Sequence, residues 1–184
     1  MWICVTSDTH GNRTIIDKLI AVVSQKCDLL LIYGDIGGKV GRSLADLGER
    51  QKKDADYLAA KLRELPVDAR FILGNDDWFE YADEHYLSHP ETIAGHTFVP
   101  FEWVPLTPFK TNRESNENKI LYELGKLNAD NQSIIVAHGP PFGCGDKHTE
   151  ANALAVKPLT PGSSRFNRAP GFAAIYMKTL ANTR

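Results

Sequence analysis

The sequence predicts an α/β fold built on a parallel sheet, with helices connecting the strands. Apolar runs at 2–8, 28–35 and 70–76 have the length and composition of buried strands. Helical patterns at 12–25 and 52–65 separate these runs. The order strand, helix, strand, helix, strand is typical of a parallel sheet with right-handed crossovers. With 184 residues, the chain is long enough to form one domain with a substantial core.

The two helices of this first half have recognisable ends and apolar faces. The first begins after Asn12, a residue type that caps helices well. Its apolar positions recur at helical spacing: Ile15, Leu19, Val22 and Val23. The second helix ends before Pro66, which cannot continue it. The run "DLLLIYGD" between the helices is continuously apolar, which is typical of a strand covered on both faces.

The second half of the chain predicts a less regular arrangement. Residues 96–109 are rich in proline and aromatic residues and predict one or two edge strands, with antiparallel pairing as an option. An amphipathic helix is predicted at 117–127 and another buried strand at 132–141. The composition of 142–170 predicts a loop, and 171–184 predicts a short helix.

Composition and charge disfavour several classes of protein. The formal charge is −2, the pI is about 6.3 and no Lys/Arg-rich run occurs, so nothing indicates a surface for nucleic acid. Three cysteines, Cys4, Cys27 and Cys144, have no regular spacing, which favours reduced thiols over a disulfide framework. No signal-peptide pattern and no membrane-length apolar run is present. We therefore predict a soluble cytoplasmic protein without a membrane partner.

Polar residues follow four predicted strands at the point where each apolar run ends. They stand beside glycines in "SDTHGN", "YGDIGG", "LGNDD" and "IIVAHGPP", and they are Asp8, His10, Asp35, Asn75, Asp76 and His138. Ligands bind at the carboxyl ends of parallel strands, so these side chains are expected to converge. Carboxylate, imidazole and amide donors suit Mn, Fe, Zn or Mg. A pair of ions needs a ligand that contacts both, and Asp35 is the natural candidate.

The order D-x-H, G-D, G-N-x, H-x-P-P resembles the calcineurin-like metallophosphoesterases. The matches are "DTH", "GD", "GND" and "HGPP", followed by "GS" at 162–163. The resemblance implies a β-sandwich of two sheets flanked by helices, with a binuclear metal site at the strand ends. It covers residues 1–163, which we predict as the domain, and it leaves residues 164–184 as an atypical tail.

The resemblance also implies a role for each matched residue. Asp8 and His10 would hold the first of two divalent ions, and Asp35 would bridge both. Asn75 and His138 would hold the second ion. A hydroxide bridging the ions would attack the phosphoester in line. Manganese is favoured among Mn, Fe, Zn and Mg.

Position 76 departs from the family pattern. Many members carry a histidine after the asparagine of the third motif, where this chain has Asp76. We predict Asp76 and Asp35 as catalytic residues. A role for Asp76 as general acid would require a raised pKa, which neighbouring Asp77 favours and metal cations oppose. A structural or supporting role for Asp76 is the alternative.

A second departure lies after His138. The family completes its site with G-H-x-H, but His148 is the one histidine that follows His138 here. The expectation is a truncated or frame-altered member in which each ion lacks one imidazole and the second sheet is incomplete. Weak, metal-supplemented activity is expected.

The predicted function is metal-dependent hydrolysis of phosphodiesters or phosphomonoesters, with a small phosphoester as substrate. One alternative is a catalytically weak or inactive member that acts as a binding scaffold. A weaker one is a nuclease, for which no basic or aromatic strand-binding surface is found. The cluster Trp78, Phe79 and Tyr81 is interpreted either as packing or as a wall of a substrate pocket. The substrate, the metal and the oligomeric state do not follow from the sequence.

Overall fold

The structure is a computed structural model, and it describes residues 1–140. The predictions made for 142–170 and 171–184, for His148 and Cys144, and for a domain boundary after 163 lie outside these residues. The elements are β1 (Ile3–Thr6), α1 (Arg13–Lys26), β2 (Leu29–Tyr33), α2 (Leu44–Arg63), β3 (Asp68–Ile72), β4 (Glu91–Ile93), β5 (His96–Phe101), β6 (Val104–Pro105), β7 (Glu114–Ser115), α3 (Glu117–Leu124) and β8 (Ile134–Ala137).

The first sheet is parallel and has the order β1-β2-β3. Ile3 pairs with Leu29, and Leu29 pairs with Asp68, so the three strands run in one direction and end at one edge. α1 and α2 connect consecutive strands. The predicted α/β fold with a parallel sheet is therefore confirmed.

The second sheet has the order β4-β5-β8. β4 pairs antiparallel with β5, and β5 pairs parallel with β8. The prediction of an edge strand is wrong for β5, which has a neighbour on both sides although it contains Pro100. Proline removes only its own N–H, so the remaining residues of β5 still pair. A separate parallel pair, β6 with β7, precedes α3.

The two sheets pack face to face. One core cluster joins Leu31 and Ile72 of the first sheet to Phe98 and Val136 of the second. A second cluster lies on the opposite face of the first sheet, where α1 and α2 cover it. The central strand β2 is thus buried on both sides, as its continuous apolar run predicts. This layering is the two-sheet arrangement flanked by helices.

Two details of the helices differ from prediction. α2 begins at Leu44, eight positions before the predicted start at 52, with Ser43 as its cap. Gly48 is a poor helix former, so the sequence did not indicate a helix in these first turns. A Cβ at this position would lie 2.7 Å from the carbonyl oxygen of Trp78, so the close packing requires glycine. In α1 the buried face contains Ile16 and Val23, whereas the predicted Ile15 and Val22 are 45% and 52% exposed.

Cys4 on β1 and Cys27 after α1 form a disulfide, with their Cα atoms 5.8 Å apart. The expectation that these cysteines stay reduced is therefore wrong for this structure. Cys4 of β1 lies in the same apolar cluster as Ile16 and Val23 of α1, so the helix packs against this strand. None of the helices in the described residues combines the length and hydropathy that crossing a bilayer requires.

Candidate metal centre

The loops that follow β1 and β2 lie side by side at the edge where the first sheet ends. The backbone N–H of Asp8 donates to the carbonyl oxygen of Gly34 at 3.0 Å. The backbone N–H of His10 donates to the backbone carbonyl oxygen of Asp35 at 2.9 Å. These hydrogen bonds continue the pairing of the two strands into their loops. They bring together two ligand-type segments that are far apart in the chain.

Three residues of these loops have left-handed backbone conformations. The φ angles are 57° at Asp8, 44° at His10 and 52° at Asp35. Such angles are uncommon for residues with a Cβ, and they cluster at functional sites where the surrounding structure maintains them. The strained turns direct the three side chains toward one another.

Two glycines allow the loops after β2 and β3 to approach closely. Gly34 has φ +87°, and a Cβ on it would lie 2.4 Å from the backbone nitrogen of Gly74. A Cβ on Gly74 would lie 2.2 Å from Oδ1 of Asp35. Neither position can accept a side chain without moving the Asp35 loop. This explains physically why glycine stands beside the ligand-type residues at both strand ends.

Asp8, His10 and Asp35 form a group that could hold a metal ion. One ligand atom from each lies within 4.8 Å of the others. Nε2 of His10 is 3.8 Å from Oδ1 of Asp8 and 4.0 Å from Oδ2 of Asp35. Two donors that share an ion at about 2.1 Å are separated by about 3–4 Å, so these distances fit a common cation. Nδ1, the other ring nitrogen of His10, is buried and has no hydrogen-bond partner among the described residues.

His138 lies on the other side of Asp35. It follows β8, and its Nδ1 donates a hydrogen bond to the carbonyl oxygen of Tyr33. Its Nε2 is 3.5 Å from Oδ1 of Asp35. The two carboxylate oxygens of Asp35 therefore face different imidazoles, with Oδ2 toward His10 and Oδ1 toward His138.

The Asp35 carboxylate is 6% exposed, and this burial raises its pKa above the usual value. The nearby imidazole of His138 lowers the pKa, and the carboxylate of Asp8 raises it further. A cation beside this buried carboxylate would stabilise its ionised form. The electrostatics of the centre are thus consistent with its donor set.

Asn75 contributes an amide at the end of β3, and a hydrogen-bonded chain orients that amide. Nδ2 of Asn75 donates to the hydroxyl of Thr111, and this hydroxyl donates in turn to Glu114. Because the amide nitrogen is engaged, the amide oxygen remains available as a donor to a metal. The residues on both sides of Asn75 approach Asp35, since the N–H of Asp76 donates to Oδ1 of Asp35 at 2.8 Å.

Asp77 organises the loops from beneath the centre. It is fully buried, and its carboxylate accepts hydrogen bonds from the backbone N–H groups of Ile36, Gly37 and Gly74. Burial raises the pKa of Asp77 to about 6, whereas the hydrogen bonds from Gly74 and Gly37 act in the opposite direction. One side chain thereby ties the loop after β2 to the loop after β3.

The aromatic cluster after Asp77 serves mainly as packing. Phe79 belongs to the core beneath the helices, and its ring meets that of Tyr81 edge to face at 6.0 Å. Trp78 is half-buried, and its backbone N–H donates to Oε1 of Gln51. The predicted alternative of packing therefore holds for Phe79 and Tyr81.

Sequence reasoning did not single out Thr111 and Glu114, which orient Asn75, and it named Asp77 only as a neighbour of Asp76. The doubled acid in "GNDD" is the one feature of the sequence that points to Asp77. Thr111 and Glu114 lie in a polar loop with no motif of its own. Only the folded chain brings this loop to Asn75.

Most of the chain matches the model of one known protein family. The family model described as calcineurin-like phosphoesterase matches residues 1–175. No curated protein matches the chain significantly. The matched range includes all the strand ends that surround Asp35.

Proposed function

This chain belongs to the calcineurin-like phosphoesterase family, and on that premise we propose that it hydrolyses small phosphoesters with the help of two divalent metal ions. The observation that carries the proposal is the placement of Asp35 between two imidazoles. Oδ2 lies 4.0 Å from His10 and Oδ1 lies 3.5 Å from His138. A carboxylate whose two oxygens face separate nitrogen donors is suited to contact two cations at once.

The donor sets follow from this placement. Asp8 and His10 would hold one ion together with Oδ2 of Asp35. His138 and the amide oxygen of Asn75 would hold the other together with Oδ1. Oxygen and nitrogen donors without a thiolate suit Mn, Fe, Zn or Mg, and we favour manganese. When bound, such ions supply a more acidic water and neutralise negative charge on a phosphoryl group.

The chain's own residues have positioning tasks in this scheme. The hydrogen bond to Tyr33 keeps the proton of His138 on Nδ1, so Nε2 carries the lone pair that can bind a metal ion. The Thr111 hydroxyl keeps the amide of Asn75 in one orientation. Asp35 and Asp76 remain our predicted catalytic residues.

A small phosphoester fits the chain better than nucleic acid. The formal charge of −2 and the absence of a basic run give no long cationic surface for a phosphate backbone. We also propose a cytoplasmic location.

Hydrolysis of an aryl phosphodiester and an aryl phosphomonoester against added Mn²⁺ tests the proposal. We expect a rate that rises with Mn²⁺ and falls by at least about 100-fold in Asp35→Asn, which removes the charge but keeps the size. Asp68→Asn is the matched control, since Asp68 is exposed at the start of β3. Equal rates in wild type and Asp35→Asn would refute the proposal.

A binding scaffold is the second candidate, and one sequence feature favours it. Between 139 and 184 the one histidine is His148, so these residues offer no second pair of imidazoles. A scaffold that has kept the ligands would bind Mn²⁺ but hydrolyse neither ester. Binding of Mn²⁺ in calorimetry, together with no turnover of either ester, would therefore select this candidate.

A further inference from the structure

A lysine forms an ion pair beside the candidate metal centre. Nζ of Lys39 lies 2.9 Å from Oδ2 of Asp76. The Lys39 side chain is 59% exposed and that of Asp76 is 16% exposed, so the ammonium group faces solvent while its partner lies deeper. No motif in the sequence points to Lys39, and the site as proposed above does not use it.

The backbone that leads to Lys39 is held firmly. The N–H of Gly37 donates to Asp77 at 2.9 Å, and the N–H of Gly38 donates to Asp54 at 3.0 Å. The carbonyl oxygen of Gly38 accepts a hydrogen bond from Gln51. These contacts hold the backbone next to Lys39 in place. The position of the ammonium group then depends on the conformation of the flexible side chain alone.

Asp76 is held equally firmly on the other side. Its N–H donates to Oδ1 of Asp35 at 2.8 Å, and its carbonyl oxygen accepts from Gln51 at 2.7 Å. Its backbone thus contacts the residue that we propose as the bridging ligand. Because the backbone of Asp76 contacts Asp35, the ion pair of Asp76 with Lys39 lies beside the loops that form the candidate metal centre.

The ion pair resolves a charge conflict at position 76. A carboxylate in this place repels an incoming phosphate unless a positive charge offsets it. Lys39 supplies that charge at hydrogen-bond distance from Asp76. An ammonium group has three N–H donors, so Lys39 can contact Asp76 and a phosphate oxygen at the same time.

Resting on the proposed function, we propose that Lys39 binds a non-bridging oxygen of the substrate phosphate, that Asp76 positions Lys39, and that the substrate is a phosphomonoester. A phosphomonoester has three non-bridging oxygens and a phosphodiester has two. Two metal ions and one ammonium group offer three positive partners, which matches the monoester. Lysine commonly binds phosphate as a point charge.

The experiment compares wild type, Lys39→Ala and Lys39→Arg, with Lys18→Ala as the control at an exposed site on α1. Two readouts are taken with Mn²⁺ present: binding of inorganic phosphate by calorimetry, and kinetics on p-nitrophenyl phosphate and bis-p-nitrophenyl phosphate. For Lys39→Ala we expect phosphate affinity to fall about tenfold, the difference expected for one lost charged contact. KM for the monoester should rise similarly, KM for the diester should change less than about twofold, and bound Mn²⁺ should stay the same. Lys39→Arg should retain most of the affinity.

The outcomes separate this inference from the proposed function. Phosphate binding that depends on Lys39 in a protein without turnover would uphold the phosphate contact and refute the hydrolase. Turnover with phosphate affinity unchanged in Lys39→Ala would overturn the inference and leave the hydrolase intact. Lost Mn²⁺ in Lys39→Ala, absent phosphate binding in wild type, or equal losses on both esters would also overturn it.

The positioning role of Asp76 has its own readout. In an Asp76→Asn background, the loss caused by Lys39→Ala should be smaller than in wild type, because the lysine is no longer held at the centre. Coupling between residues in contact appears as such non-additivity. Strictly additive effects of the two substitutions on phosphate affinity would overturn the role of Asp76.

Discussion

The imidazole of His138 donates a hydrogen bond from Nδ1 to the carbonyl oxygen of Tyr33, which lies 105 positions earlier in the chain. A carbonyl oxygen only accepts, so the neutral imidazole carries its proton on Nδ1 and its lone pair on Nε2. Nε2 is the nitrogen that faces Asp35, at 3.5 Å. The end of β2 thus supplies both the acceptor that orients the imidazole and the carboxylate beside it.

Replacing His138 tests whether it holds a metal ion. We expect His138→Ala to lower the Mn²⁺ bound at equilibrium with excess Mn²⁺ from about two ions per chain to about one, because the other ion keeps its own donors. Elemental analysis of the protein measures this ratio. His96→Ala is the control, since His96 is exposed on β5. An unchanged ratio in His138→Ala would rule out the ligand role.

Replacing Asp77 tests its part in joining two loops. Its carboxylate accepts backbone N–H groups from both loops. In Asp77→Asn the amide nitrogen faces one of these donors, so we expect a loss of about 2–3 kcal/mol in the free energy of unfolding. Urea denaturation measures the loss, and the exposed Asp68→Asn should stay within about 0.5 kcal/mol of wild type. A fully stable Asp77→Asn protein would contradict this role.

Replacing Thr111 tests the orientation of Asn75. Thr111→Val keeps the shape but removes the hydroxyl that accepts the amide N–H. We expect Mn²⁺ affinity to fall by about 10-fold, in the range typical of partners that orient a ligand. Thr111→Ser should restore the affinity, because serine keeps the hydroxyl. Equal affinities in the valine and serine variants would show that the hydroxyl does not matter.

The ion pair of Glu91 with Arg70 gives a dependence of stability on pH. The hydrogen bond from Arg70 lowers the pKa of Glu91 below its usual value of 4.5, so the ionised form is favoured in the folded chain. Its contribution is present above pH 4.5 and is lost as the pH falls through the lower, folded pKa. We expect Glu91→Gln to be less stable by about 1 kcal/mol at pH 7, given the partial exposure of the pair.

Urea denaturation at several pH values checks this dependence. The difference between wild type and Glu91→Gln should be constant from pH 7 to 5 and should shrink below about pH 4.5. Glu49→Gln is the control, because Glu49 is exposed on α2. A difference that grows on acidification would give the opposite sign and contradict the assignment.

Much of the fold could be predicted because the first sheet is buried on both faces. Such strands need continuous apolar runs, and β2 with "LLLIY" is an example. The start of α2 was missed because Gly48 is required by packing against Trp78, which no local pattern reveals. The central place of β5 was missed because Pro100 suggested an edge, whereas pairing depends on the partners on both sides.

The sequence by itself determined the chemistry that is available: which residues end the strands, and that carboxylate, imidazole and amide groups follow them. It could also predict that the groups after β1, β2 and β3 lie together, because a parallel sheet places its carboxyl ends at one edge. His138 follows β8 of the second sheet, and only the packing of the two sheets brings it to Asp35. Only the tertiary structure decided how those donors are aimed. The two oxygens of Asp35 face different histidines, and Lys39 pairs with Asp76, through contacts between segments that are distant in the chain. Such contacts depend on backbone turns and packing in three dimensions, which no local pattern of residues encodes.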